Sequence, residues 1–309
     1  MSTAGAMPRR ILLITLSNIG DLVMTTPVLQ VLHQQDPDAL VDLVADRRSS
    51  ALLEACPWRG DILHKDKGGG WRGLLALVRR LRRHRYELIV DLRTDGLSWL
   101  LRGRRRLERR GLRLEGLHAV QRHLAVLREL APAEPPPPRL WSTTADQAAA
   151  DRLLAGLPRG PWLGLGPGAN WPPKVWPVAG FQALARGLRE RVAAVVLFGG
   201  PADRAACRAL ADALSLPLVD LAGRTSLPVT LAALRRLALF VGNDSGLGHM
   251  AAAAGVPVLT LFGPGDPERY RPWGTANRWL SSPSGRMADL SADQVVAVAA
   301  GMLEADRCG

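Results

Sequence analysis

The chain has 309 residues, enough for two domains of ordinary size, each with its own core. Its apolar runs are strand-length and broken by Gly, Pro or charge, so none reaches the roughly 20 residues that span a bilayer. Arg9 and Arg10 precede the first run without a signal-peptide core, which predicts a cytoplasmic protein. Cys56, Cys207 and Cys308 are too few and too widely spaced for a disulfide framework or a zinc site, and a net charge of +12, nearly all arginine, favours an anionic partner.

Arg10 to Thr15 (R-I-L-L-I-T) is an apolar run suited to a buried parallel strand. A helical pattern follows through Leu22, Val28, Leu29 and Leu32, and Pro27 leaves it two forms. Either Thr26 caps a helix with Pro27 at its first position, or the helix begins near Asp21 and is bent. In both, Asp21 sits at the carboxyl end of the first strand, where open α/β sheets bind ligands; a helix N-cap uses the same residue type. Leu40 to Ala45 is a second strand and Asp61 to His64 a short third. Gly68 to Gly70 lead into W-R-G-L-L-A-L-V-R-R-L-R-R-H-R, where Trp71, Leu74, Leu75, Val78 and Leu81 recur at helical spacing opposite an arginine face. Such a helix either covers the sheet with its polar side in solvent or lies on an anionic membrane surface. Glu87 to Leu92 is the next strand, with the turn R-T-D-G before another helix, so Asp91, Arg93 and Asp95 share the carboxyl edge with Asp21.

Ala131 to Arg139 (A-P-A-E-P-P-P-P-R) reads as a stiff extended linker that halves the chain. Beyond it the βα alternation repeats: a helix at Ala145 to Leu157, a strand at Trp162 to Leu165, the loop G-P-G-A-N-W-P-P-K-V-W-P, then further strands and helices. Within V-G-N-D-S-G-L-G-H-M-A-A-A-A-G-V-P-V, a strand turns into a short helix from Gly246 to Ala254. Asp244 and Ser245 stand at its cap, and Gly246 and Gly248 leave its first N–H groups facing open space. A helix start of this kind attracts phosphate, and His249 in its first turn can donate to a phosphoryl oxygen. The expected class is α/β, with two Rossmann-like βα domains facing a central cleft: residues 1–143, residues 144–285, and a last helix within 286–309, about Ala292 to Ala305, packing back on the first domain.

Four blocks together carry a family resemblance. They are I-L-L-I-T-L-S-N-I-G-D-L-V-M-T-T-P at Ile11 to Pro27, P-G-A-N-W-P-P-K-V-W-P at Pro167 to Pro177, D-L-A-G-R-T-S-L at Asp220 to Leu227, and N-D-S-G-L-G-H-M-A-A-A-A-G-V-P-V-L-T-L-F-G-P-G-D-P from Asn243 to Pro267. In this order they resemble the heptosyltransferases of bacterial lipopolysaccharide synthesis, glycosyltransferase family 9, with the GT-B fold. The resemblance implies an inverting, metal-independent transfer of heptose from ADP-heptose to an inner-core sugar. The first domain would bind the acceptor and the second the nucleotide-sugar donor, which is a substrate; no cofactor is implied. Asp21 matches the family's proposed base, Lys174 its phosphate-contacting lysine, and Ser245, Gly246 and His249 its diphosphate site. Asp203 would lie near the donor nucleoside, and Asp91 and Arg93, by their place at the carboxyl edge, would line the acceptor cleft. Lys174 shares the chain with only Lys65 and Lys67, which fits a role that arginine does not fill.

The implied partners are a nucleotide sugar, an anionic glycolipid or core oligosaccharide, and the inner face of the inner membrane by peripheral contact, with no nucleic acid. Thr15 departs from the family, whose members usually carry Arg or Lys there, as do Ala169 and Asn170, where some relatives have hydroxyl residues. Three alternatives stand beside this reading. One is a GT-B transferase using another nucleotide sugar, one a sugar epimerase, and one a non-catalytic basic protein whose binding would collapse with salt. A nicotinamide enzyme is disfavoured because no G-x-G-x-x-G follows the first strand.

Overall fold

The computed structural model describes residues 9–64, 68–93 and 96–305; Lys65, Lys67, Asp95 and Cys308 lie outside the described residues. The chain divides into two compact units between Trp141 and Ser142. In the first, the buried run Arg10–Ile14 is β1, joined by β2 (Leu40–Ala45), β3 (Arg59–His64), β4 (Tyr86–Asp91) and β5 (Gly103–Glu108). These form a parallel sheet of order β3-β2-β1-β4-β5. The chain leaves β1 toward one edge and returns to β4 on its other side, which makes the carboxyl ends of β1 and β4 a topological switch point, where open α/β sheets form ligand crevices.

The first helix, α1 (Ile19–Gln35), runs through Pro27, so the form beginning near Asp21 is the one adopted. Proline offers no N–H to the Val23 carbonyl. The Thr26 hydroxyl donates to that carbonyl instead, at 2.8 Å, and accepts the Arg139 N–H at 3.0 Å. The next helix, α2 (Gly70–Leu81), crosses from β3 to β4, and right-handed crossovers place it on the sheet face opposite α1. The apolar stripe expected along it is divided: Leu77, Val78 and Leu81 are buried, whereas Trp71 and Leu75 are exposed.

A helix is expected after Asp91, but the structure has a single helical turn at Leu97–Leu100 followed by β5. The strand G-R-R-R-L-E lacks apolar alternation because it lies at the sheet edge, where charge guards the unpaired backbone. Next comes α3 (Ala119–Leu124), which packs on α1. The proline-rich segment is extended and docked on the first unit, where Gln30 Nε2 donates to the Pro137 carbonyl at 2.8 Å.

The second unit opens with α4 (Thr144–Leu154), whose start is closed by reciprocal Thr143 and Asp146 hydrogen bonds. It continues through β6 (Trp162–Gly166), α5 (Val178–Gly187), β7 (Ala194–Leu197), α6 (Arg204–Ala211), β8 (Leu218–Asp220), α7 (Leu227–Leu234), β9 (Leu239–Asn243), α8 (Gly246–Ala253), β10 (Val258–Phe262), α9 (Pro267–Tyr270), β11 (Arg278–Ser281) and α10 (Ala292–Ala305). The parallel order is β11-β10-β9-β6-β7-β8, so the switch point here falls between β6 and β9. The last helix, for which packing on the first unit is expected, contributes to the core of the second. Val295, Ala299 and Leu303 form one buried stripe in the core of the second unit, and α10 lies against α5, where a Cβ on Gly187 would come within 2.8 Å of Val296. Its apolar stripe is satisfied there.

Candidate active site

At the β1/β4 switch of the first unit, the loop after β1 supplies Ser17 and Asn18 and the first turn of α1 supplies Asp21. Asn18, and not Asp21, is the N-cap residue of α1. The Asn18 side-chain amide donates to Asp21 Oδ2 at 3.1 Å, and Asp21 remains partly exposed. From the loop after β4, Arg93 reaches across the switch and donates to the Ser17 hydroxyl at 2.5 Å. Asp91 is fully buried and accepts the Arg93 N–H at 2.9 Å, so it shapes the loop that carries Arg93. Thr15 is also buried, its hydroxyl given to the Val44 carbonyl at 3.0 Å, and presents no charge to the crevice.

At the β6/β9 switch of the second unit, two loops meet through side chains 70 residues apart: Lys174 Nζ lies 2.5 Å from Asp244 Oδ2. The neighbouring Asn243, fully buried at the end of β9, accepts the Trp176 N–H at 3.0 Å and donates to the Pro167 carbonyl at 2.7 Å. It thereby pins both ends of the loop that presents Lys174. Trp176 anchors that loop further, its indole donating to the Leu290 carbonyl at 3.1 Å and its ring set edge-on to Phe181.

Ser245 is the N-cap residue of α8, yet its hydroxyl is buried and makes no hydrogen bond among the described residues. A buried hydroxyl without a partner costs free energy, which a bound acceptor would recover. Gly246 and Gly248 follow, and Gly248 is buried, where a Cβ would rest in ordinary contact with Pro272, Thr260 and Val258 at 3.6–3.8 Å. His249 is buried on the same helix. Asp203 is brought to this loop cluster, but as a packing residue: its carboxylate accepts the Gly200 N–H at 2.8 Å and fills the space that a Cβ on Gly168 would need. Asn243 and Asp244 stand inside the quoted N-D-S-G block, but their partners Lys174, Trp176 and Pro167 are far away in sequence.

One cluster of metal-type ligands occurs among the described residues, Asp42, Asp61 and His84. The buried Asp42 is already held by the Arg10 guanidinium, the Tyr86 hydroxyl and the Asp61 N–H, so this group is charge-paired structure away from both switch points.

Two parallel βα units, each with its polar residues at a switch point, are the architecture of a GT-B glycosyltransferase. A solved heptosyltransferase II of Escherichia coli, described as an ADP-heptose lipopolysaccharide enzyme, is similar at a TM-score of 0.82 and 25% identity, covering 96% of this chain and 99% of that one. A family 9 glycosyltransferase from Veillonella parvula has the same fold at a TM-score of 0.87 and 23% identity, covering 98% and 100%. The family model for glycosyltransferase family 9 (heptosyltransferase) matches residues 74–298. Lipopolysaccharide heptosyltransferase 3 of Escherichia coli K12 is 30% identical over 288 residues, 82% of each chain. The chain belongs to glycosyltransferase family 9, the heptosyltransferases. It is a glycosyltransferase of lipopolysaccharide heptose transfer.

Proposed function

We propose that the protein transfers heptose from ADP-heptose to a hydroxyl of an inner-core sugar, with inversion and without a metal ion or other cofactor. The first unit binds the acceptor and the second the donor. In one displacement the acceptor oxygen bonds to the anomeric carbon while its proton passes to the Asp21 carboxylate. The bond from that carbon to the diphosphate oxygen breaks, and ADP leaves with its electron pair. Asn18 orients the Asp21 carboxylate through its side-chain hydrogen bond. The departing charge is received by Lys174, the Ser245 hydroxyl and the N–H groups at the start of α8, with His249 beside them. Arg93 contacts the anionic acceptor, and Asp203 shapes the nucleoside side of the donor pocket.

The observation that carries this reading is the pairing of Lys174 with Asp244 next to the buried Ser245 hydroxyl at the start of α8, at the β6/β9 switch. Thermal stabilisation by ADP, UDP and GDP, with and without EDTA, tests the donor. Selective stabilisation by ADP that EDTA leaves unchanged is expected, about 2.7 kcal/mol at a hundred times the dissociation constant. Preference for UDP or GDP would replace the donor. Asp21→Asn is expected to lower transfer by a factor on the order of 100 to 10,000 while ADP still binds; retained turnover would remove Asp21 as the base.

A further inference from the structure

The segment that follows β10, Gly263 to Pro272 (G-P-G-D-P-E-R-Y-R-P), lies against the start of α8 at two points. A Cβ on Gly265 would come within 3.0 Å of Asp244 Oδ2, the oxygen that meets Lys174, and a Cβ on Gly248 would lie 3.6 Å from Pro272. Between these contacts stands α9, which carries Arg269 four residues after Gly265 and three before Pro272. The chain thereby holds Arg269 close to the first turn of α8.

Arg269 is only half-buried, yet its Nε is enclosed and makes no hydrogen bond among the described residues. Leaving a desolvated N–H of a cation without an acceptor costs free energy that a bound anion would recover. The guanidinium lies over the Tyr270 ring at 4.8 Å, a contact that restrains its plane. Other charged groups of the segment are engaged with one another. Arg271 donates to Glu268 at 2.9 Å and sits over the Trp279 ring, while Asp266, the N-cap residue of α9, accepts the Arg269 backbone N–H at 3.3 Å. A second enclosed donor lacking a bond among the described residues, the Ser245 hydroxyl, is the chain neighbour of Asp244.

Charge balance gives these donors a use. Lys174 is paired with Asp244, so the two together bring no net charge to a diphosphate that must leave as an anion without a metal ion. Arginine supplies a permanent charge and a planar fork of N–H groups that fits a phosphoryl group. We propose that Arg269 is a diphosphate-binding residue of the donor site. Its Nε–H donates to a phosphoryl oxygen of the bound nucleotide sugar, and its guanidinium carries charge that builds on the diphosphate as the bond to the anomeric carbon breaks. This assignment rests on the reading of the second unit as the donor unit, but not on which base the nucleotide carries.

Titration of the full chain with ADP and with adenosine tests it, or with the corresponding pair if the wild type prefers another nucleoside diphosphate. Loss of one charge-assisted hydrogen bond should make Arg269→Ala bind ADP roughly tenfold to a hundredfold more weakly, with adenosine affinity and the circular dichroism spectrum unchanged. Arg269→Lys, which keeps the charge and loses the Nε–H, should fall between Arg269→Ala and the wild type. Steady-state transfer by Arg269→Ala should show a lowered kcat as well as a raised KM for the donor, because the contact strengthens as the diphosphate departs. ADP affinity left intact in Arg269→Ala would overturn the assignment alone. Equal weakening of ADP and adenosine would also overturn it, by giving Arg269 a purely structural role. A wild-type chain that binds no nucleoside diphosphate would overturn the donor reading and this assignment with it.

Discussion

Lys174 owes its position to Asn243, the chain neighbour of its ion-pair partner Asp244. The Asn243 amide satisfies the Trp176 N–H and the Pro167 carbonyl from inside the second unit, closing the ends of a loop rich in proline and otherwise bound by few local hydrogen bonds. Replacing it by Ala leaves both buried backbone groups unpaired. At roughly 1–3 kcal/mol for each group, Asn243→Ala is expected to destabilise the second unit by about 2–6 kcal/mol. It should also weaken ADP binding although Lys174 is still present. Urea unfolding and nucleotide titration check both effects, and unchanged ADP affinity would mean that the loop holds Lys174 without help. The buried thiols carry no such role: burial pushes Cys207 up to about 12 and raises Cys56, so both remain protonated and unreactive.

At the scale of the element, α1 is the case where local and tertiary demands are reconciled by one hydroxyl. Proline inside a helix loses a hydrogen bond and crowds the preceding turn. Thr26 restores the first of these by donating to the Val23 carbonyl, and the same oxygen accepts from Arg139 of the docked proline-rich segment. Thr26→Val keeps the shape and removes both bonds, with an expected cost of about 2–4 kcal/mol to the first unit, whereas Thr26→Ser should cost less than about 1.5 kcal/mol. Thermal unfolding of the two variants decides it; equal stability would show that the hydroxyl carries no net energy.

For the whole molecule, the response to acid runs through buried histidines of the first unit. Five of the six histidines are in the first unit. Burial pushes His123 down from 6.5 to about 4, opposed by its contact with the Met24 carbonyl, and burial also lowers His64. Below about pH 6.5 the unfolded chain takes up a proton at His123 that the folded chain accepts only near pH 4. Stability of the first unit is therefore full above that window and falls through it, by up to about 3 kcal/mol from His123. Denaturant unfolding at neutral pH and near pH 4.5 should show this loss, and His123→Gln should flatten it. A wild-type first unit equally stable at both would contradict it.

What the sequence determined by itself is whatever its local pattern encodes. The apolar runs at Ile11 and Leu239 are strands, Ala292–Ala305 is a helix, and the alternation of such segments defines two βα halves. The residues later found at both switch points were also legible, because glycines, caps and the lone Lys174 of the second half are visible without any partner. Only the tertiary structure decided the rest. It made edge strands of Gly103–Glu108, where three successive arginines hide the strand, and of the four-residue Arg278–Ser281. It sent α10 to the second unit, and it split the α2 stripe between core and solvent. It also brought Asn243 to Trp176 and Lys174 to Asp244. Each of these depends on which distant segment satisfies an exposed backbone edge, an apolar stripe or a buried polar group, and that is a property of the folded chain alone.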